Sequence, residues 1–147
     1  MAMSTTGGQD ILNRLLRGEL AATETYQQAM AKVGTEPRAT ELRQLHDAHR
    51  TAANELRQHM NQHGWKPEQG SGAWGTWAKT VEGAAKIFGN AAAVKALKEG
   101  EEHGIKEYEE ALTDPELPAD CKEMIRNQFL PQTRSHIPAI DRMMAAQ

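Results

Sequence analysis

Four polar residues stand where a helical seam calls for apolar ones. The first seam runs Leu12, Leu15, Glu19, Ala22, Tyr26, Ala29 and Val33; the second runs Leu42, Leu45, His49, Ala52, Leu56, Met60 and His63, slipping by one near Met60. The third is Val94, Leu97, Glu101, Gly104, Tyr108 and Ala111; the fourth is Ile125, Phe129, Gln132, His136, Ala139 or Ile140, and Met143. Alternating steps of three and four are the spacing of a buried helix face. Each seam is interrupted near its middle, by Glu19, His49, Glu101, and Gln132 with His136. An isolated carboxylate there is disfavoured by several kcal/mol unless it is paired or bound to a cation. One intruder needs only a local partner, whereas four at similar depth point to one another. Two carboxylates and two imidazoles form a hard, mixed oxygen and nitrogen donor set suited to a metal ion such as Fe, Mn or Zn. His46, three residues before His49, is an additional ligand candidate. Gln132, four before His136, can ligate or hydrogen-bond but brings no charge.

The elements that must position these residues are helices. The 147-residue chain is 39% hydrophobic and 5% aromatic. Few aromatic and β-branched residues, with abundant Ala, Glu, Leu, Gln and Arg, predict an all-α fold. Residues 1–8 read as a flexible tail closed by Gly7 and Gly8, and 9–147 as one domain. The first helix is expected from about Gln9 to Val33, stopped by Gly34. Thr35 and Pro37 suit the cap and first turn of the second, which runs to about His63 and Gly64. A Gly-, Pro- and Ser-rich loop at 65–75 precedes a short helix over Thr76–Phe88. The third long helix spans about Ala91–Leu112, and the fourth opens at Pro118 and ends near Met144. Short connections at 34–36 and 113–117 make two antiparallel hairpins. The long crossover between them gives the four-helix topology of ferritin-like bundles.

The halves repeat. LLRGELAATETYQQAM at 15–30 aligns with LKEGEEHGIKEYEEAL at 97–112, so Gly18-Glu19…Tyr26 mirrors Gly100-Glu101…Tyr108. Repeated Gly-Glu…Tyr, followed in each half by a His-bearing helix, resembles the rubrerythrin-type branch of the ferritin-like superfamily. From about residue 9 to 145 the chain more closely resembles a bacterial ferritin-like family known only as a domain of unknown function. In ferritin-like dimetal proteins each hairpin supplies a Glu from one helix and Glu-x-x-His from the next. The resemblance therefore implies metal ligation by Glu19, His49, Glu101 and His136. The bridging Glu positions depart from that pattern, being His46 and Thr133. This argues against an oxygen-activating diiron centre, because bridging carboxylates neutralise and hold the two cations. A mononuclear or zinc-like site, or a metal-free hydrogen-bonded remnant, fits the residues present.

Composition narrows the function further. A single cysteine, Cys121, forbids an internal disulfide, and no apolar stretch approaches a membrane span. The start, MAMSTTGGQD, lacks the layout of a signal peptide, so a cytoplasmic location is expected. Net charge is −3 with no basic block, which argues against a nucleic-acid partner. The leading expectation is a metal-binding bundle in iron or oxidative-stress physiology, its small-molecule substrate unspecified. The competing one is a metal-free bundle acting by association, as a homodimer through the crossover or exposed helix faces. An oxidase or peroxidase requires two redox metals and ranks third. Tyr26 and Tyr108 are expected to donate their hydroxyls to the site carboxylates. His59 and His63 are read as favoured at a helix C-terminus by the macrodipole, and Glu102 and His103 as facing solvent or the crossover. Trp65, Trp74 and Trp77 are expected to cap a small-residue core. Pro131 and Pro138 are expected to bend the fourth helix or aim His136.

Overall fold

The computed structural model describes residues 5–33, 38–69 and 90–145. All regular structure among them is helical, and no described helix is long and apolar enough to cross a membrane. The elements are α1 (Thr5–Val33), α2 (Arg38–Gln62), α3 (Asn90–Leu112), α4 (Ala119–Met124), a π-helical turn (Ile125–Phe129) and α5 (Leu130–Ala145). The last three run on without a break as one rod. α1 packs chiefly along α2, and α3 along the rod. The Thr35 cap, Pro37, the short helix expected over 76–88, Trp74 and Trp77 lie outside the described residues, as do residues 1–4 of the expected tail.

α1 starts earlier than its expected beginning at Gln9. Gly7 and Gly8, read as the end of a tail, are helical, and Gly8 is covered. A Cβ on Gly8 would lie 2.7 Å from the Trp65 ring, so only glycine lets that buried indole rest on the helix backbone. Trp65 reaches this position through the ending of α2. Gly64 takes φ +76°, Trp65 N–H donates to Met60 O (2.9 Å) and Gly64 N–H to Asn61 O (3.1 Å). This is the Schellman termination, with Trp65 and Met60 supplying its apolar contact. The segment beyond docks on α1: Lys66 N–H donates to Gln9, Glu68 N–H to Asn13, and the Asn13 amide to Lys66 O.

The π turn changes the register of the rod. Leu130 N–H donates to Ile125 O, five residues back. One residue more than an α-turn is thereby accommodated just before Pro131, whose ring would clash with the carbonyl of Asn127 in α geometry. The inward face becomes Ile125, Phe129, Thr133, His136, Ile140 and Met143, all buried. Gln132 is half-buried rather than inward.

The core is divided. One apolar cluster includes Leu12, Leu16, Leu56, Met60, Trp65 and Phe129. The other includes Tyr26, Leu42, Leu45, Leu97 and Ile140. Glu19, His49, Glu101, Thr133 and His136 are buried polar residues belonging to neither. Trp65→Ala should lower the stability measured by urea unfolding by about 3–5 kcal/mol, the range for deleting a large buried aromatic.

Candidate functional site

Glu19 comes from α1, His49 from α2, Glu101 from α3 and His136 from α5, and all four are at most 6% exposed. The structure brings these four together. His49 lies between the two carboxylates: Nδ1 is 2.5 Å from Glu19 Oε1, and Nε2 is 2.7 Å from Glu101 Oε2. His136 Nδ1 is 3.1 Å from Glu101 Oε1. The tyrosines complete the set crosswise. Tyr26 donates to Glu101 Oε2 at 2.5 Å, and Tyr108 donates to Glu19 Oε2. Each Tyr of the Gly-Glu…Tyr repeat thus serves the Glu of the other half. All four carboxylate oxygens have a donor, as buried acceptors require.

Ring packing fixes the imidazoles. Tyr26 stacks on His49 with centroids 5.4 Å apart, and His136 meets His49 edge-on at 4.9 Å. Burial opposes charge on His49, but Glu101 and Glu19 outweigh it and push the imidazole up to about 10. Burial likewise works against charge on Glu101, yet His49 and the His136 hydrogen bond hold this carboxyl far below the usual range. Burial, reinforced by the neighbouring carboxylates, raises both tyrosines well above 10.0, so they are donors.

A cavity of about 30 Å³ adjoins the layer and touches Glu19, His49, Glu101, Tyr108 and Thr133. That is room for a water or two. Gly18, Gly100 and Gly104 line it, and a Cβ on Gly104 would meet nothing within 4 Å. The glycine before each Glu is part of the repeat, so the repeat supplies space as well as charge. Burial raises Glu107, also on the lining, above the ordinary carboxylate value.

His46 and Gln132 do not join the layer. His46 Nδ1 pairs with Asp47 at 2.9 Å. Gln132 is displaced from the inward face by the π turn, and Thr133, whose hydroxyl donates to Phe129 O at 2.8 Å, occupies the place. One ligand atom from each of His49, Glu101 and His136 lies within 4.8 Å of the others, a spacing that can hold a metal ion. Glu19 reaches that group through His49.

The family described as "Domain of unknown function (DUF2383)" matches residues 9–114, and the chain belongs to it. The match contains Glu19, His49 and Glu101 and ends before His136. No curated protein and no solved structure matches the chain.

Removing Glu101 leaves His49 Nε2, His136 Nδ1 and the Tyr26 hydroxyl buried without their acceptor, so Glu101→Ala should destabilise the metal-free protein by about 3–5 kcal/mol in urea unfolding. The pH dependence follows from the two shifts. His49 is raised, so its contribution is complete below about pH 6.5 and fades as pH climbs through about 10. Glu101 is depressed, so its contribution is complete above about pH 4.5 and fades as pH falls. Metal-free wild type should lose stability between about pH 6.5 and pH 9.5, and His49→Gln should lack that loss. Equal losses in both proteins would exclude His49 as the titrating group.

Proposed function

We propose that this member of the DUF2383 family holds one divalent metal ion at the centre of a ferritin-like four-helix bundle. In that architecture two antiparallel hairpins are joined by a long crossover containing a short helix. The ligands are His49, Glu101 and His136, with Glu19 holding the far ring nitrogen of His49 and adding its charge to the site, and the ion is Fe, Mn or Zn. The setting we favour is cytoplasmic iron or oxidative-stress physiology.

The charge balance of the buried layer carries this reading. With metal absent, two carboxylates are buried around the single His49 ring that bonds to both, where desolvation of each charge is expensive. A dication facing two carboxylates and two neutral imidazoles brings the sum to zero. The donor set fits such an ion, with oxygen and nitrogen donors, one residue per helical rod, and ring orientations fixed by packing. It fits one ion rather than two. His46 is turned to Asp47, and Thr133 stands where the second bridging carboxylate belongs.

Iron or manganese bound here would supply one-electron chemistry, and zinc only charge neutralisation and polarisation. The chain's own contribution is distinct. Tyr26 and Tyr108 hold the carboxylates in place by donating to them, and the two apolar clusters keep bulk water from either side of the layer. The glycine-lined cavity gives a water-sized molecule access to Glu19 and Glu101.

The satisfied hydrogen bonding of both carboxylates favours a second reading, a metal-free bundle acting through self-association. Elemental analysis of protein purified without chelators separates the two. His49→Ala and Glu19→Ala should each carry about one ion per chain fewer than wild type, and the ion should raise wild-type stability by mass action. Equal metal content in all three proteins overturns the central ion. Metal-independent stability with a concentration-dependent mass then establishes the second reading.

A further inference from the structure

His59 and His63 lie one turn apart at the end of α2, a spacing that puts both rings on one helix face. The start of α4 meets that face with Asp120 and Cys121. His63 Nε2 is 2.7 Å from Asp120 Oδ2, and His59 Nε2 is 3.1 Å from the same oxygen. Cys121 Sγ lies 3.8 Å from His63 Nε2. One donor atom from each of the four residues falls within 4.8 Å of all the others.

The neighbourhood is built around these donors. His59 Nε2 is buried yet makes no hydrogen bond, so its approach to Asp120 is a contact lacking hydrogen-bond alignment. The His63 ring stacks on Trp65 with centroids 4.3 Å apart, and Trp65 is seated on Gly8. The cysteine is fully buried. Asp120 is exposed.

Two imidazole nitrogens, a sulfur and a carboxylate oxygen are the donors of a closed tetrahedral zinc site. Ligand atoms at 2.0–2.3 Å from zinc stand roughly 3.3–3.8 Å apart, a spread that side-chain rotation reaches from the observed positions. Thiol sulfur selects zinc over hard cations such as Mg²⁺ or Ca²⁺. We propose that His59, His63, Asp120 and Cys121 bind Zn²⁺ and clip the end of α2 to the start of α4. As the Sγ–Zn bond forms, the thiol proton passes to solvent. Each imidazole coordinates through Nε2 and carries its single proton on Nδ1. Burial, with the charge of Asp120 adding to it, pushes the metal-free thiol up to about 12, so the proton is present to be displaced. The site shares no residue with the central layer and does not depend on an ion there.

Cys121 is the sole cysteine of the chain, which makes the test specific. Co²⁺ added to the full, chelator-treated chain should produce a thiolate-to-cobalt charge-transfer band in the near ultraviolet, and Zn²⁺ should bleach it. The band should vanish in Cys121→Ser and persist in His49→Ala, whatever the outcome at the central layer. His59→Ala and His63→Ala, which keep the thiol, should each weaken Zn²⁺ binding by at least about tenfold. No band in wild type overturns the proposal, and so does Zn²⁺ affinity unchanged in both histidine variants.

Discussion

An imidazole that donates from both ring nitrogens is cationic, and His49 does so to carboxylates from two other helices. The arrangement holds only because three long helices approach within one side-chain length at the same depth. Burial disfavours each charge separately, while the short contacts favour all of them together. The middle of the molecule is therefore a layer in which no member can be changed alone. Glu101 is its most connected point, receiving His49, His136 and Tyr26. The helices can slide or turn relative to one another only by breaking these bonds, so the layer fixes register where apolar packing by itself is permissive.

The duplicated Gly-Glu…Tyr segment explains why the layer is reciprocal. Each copy contributes an acceptor at its Glu and, two turns on, a donor at its Tyr. Within one helix these two groups are too far apart to satisfy each other. Across the pair α1 and α3 they meet twice. The same geometry splits the hydrophobic core into a cluster on each side, with Tyr108 in one and Tyr26 in the other. Seam volume that apolar side chains would otherwise fill is taken by the polar layer itself.

That layer was legible because Glu and His interrupt otherwise regular apolar spacings, and the spacing survives in α1, α2 and α3. It failed in the last rod at one point. Counting threes and fours from Ile125 arrives at Gln132, but the π turn adds a residue and brings Thr133 inward; Pro131 was the available signal. His46 differs for another reason. At three residues before His49 it lies near the edge of the inward face, and Asp47 beside it offers a partner closer to solvent. The contact between Gly8 and Trp65 was not legible, since a glycine pair near a chain start reads equally well as a tail. The role of Gly64 as a helix stop was legible, because it rests on local geometry alone. The His59 and His63 pair was visible as a spacing, but its partners are more than fifty residues away and only the fold supplies them.

The two donor clusters differ in a way that bears on selectivity. Glu19 with Glu101 at the centre, and Asp120 with a Cys121 thiolate at the bundle end, each oppose a dication with two negative charges. Charge alone therefore does not assign ions between them. Donor softness does, because the central set is oxygen and nitrogen only, whereas the end set includes sulfur. Accessibility acts in the same direction: the central layer lies between two apolar clusters and opens to a water-sized cavity, while Asp120 is at the surface. If both proposed sites fill, zinc is drawn to the thiol at the end of α2, which leaves the central carboxylates to harder ions such as iron or manganese. A clip at that end also holds α2 against the rod that carries His136. The end site would then reinforce, through the rigidity of two helices, the geometry on which the central layer depends.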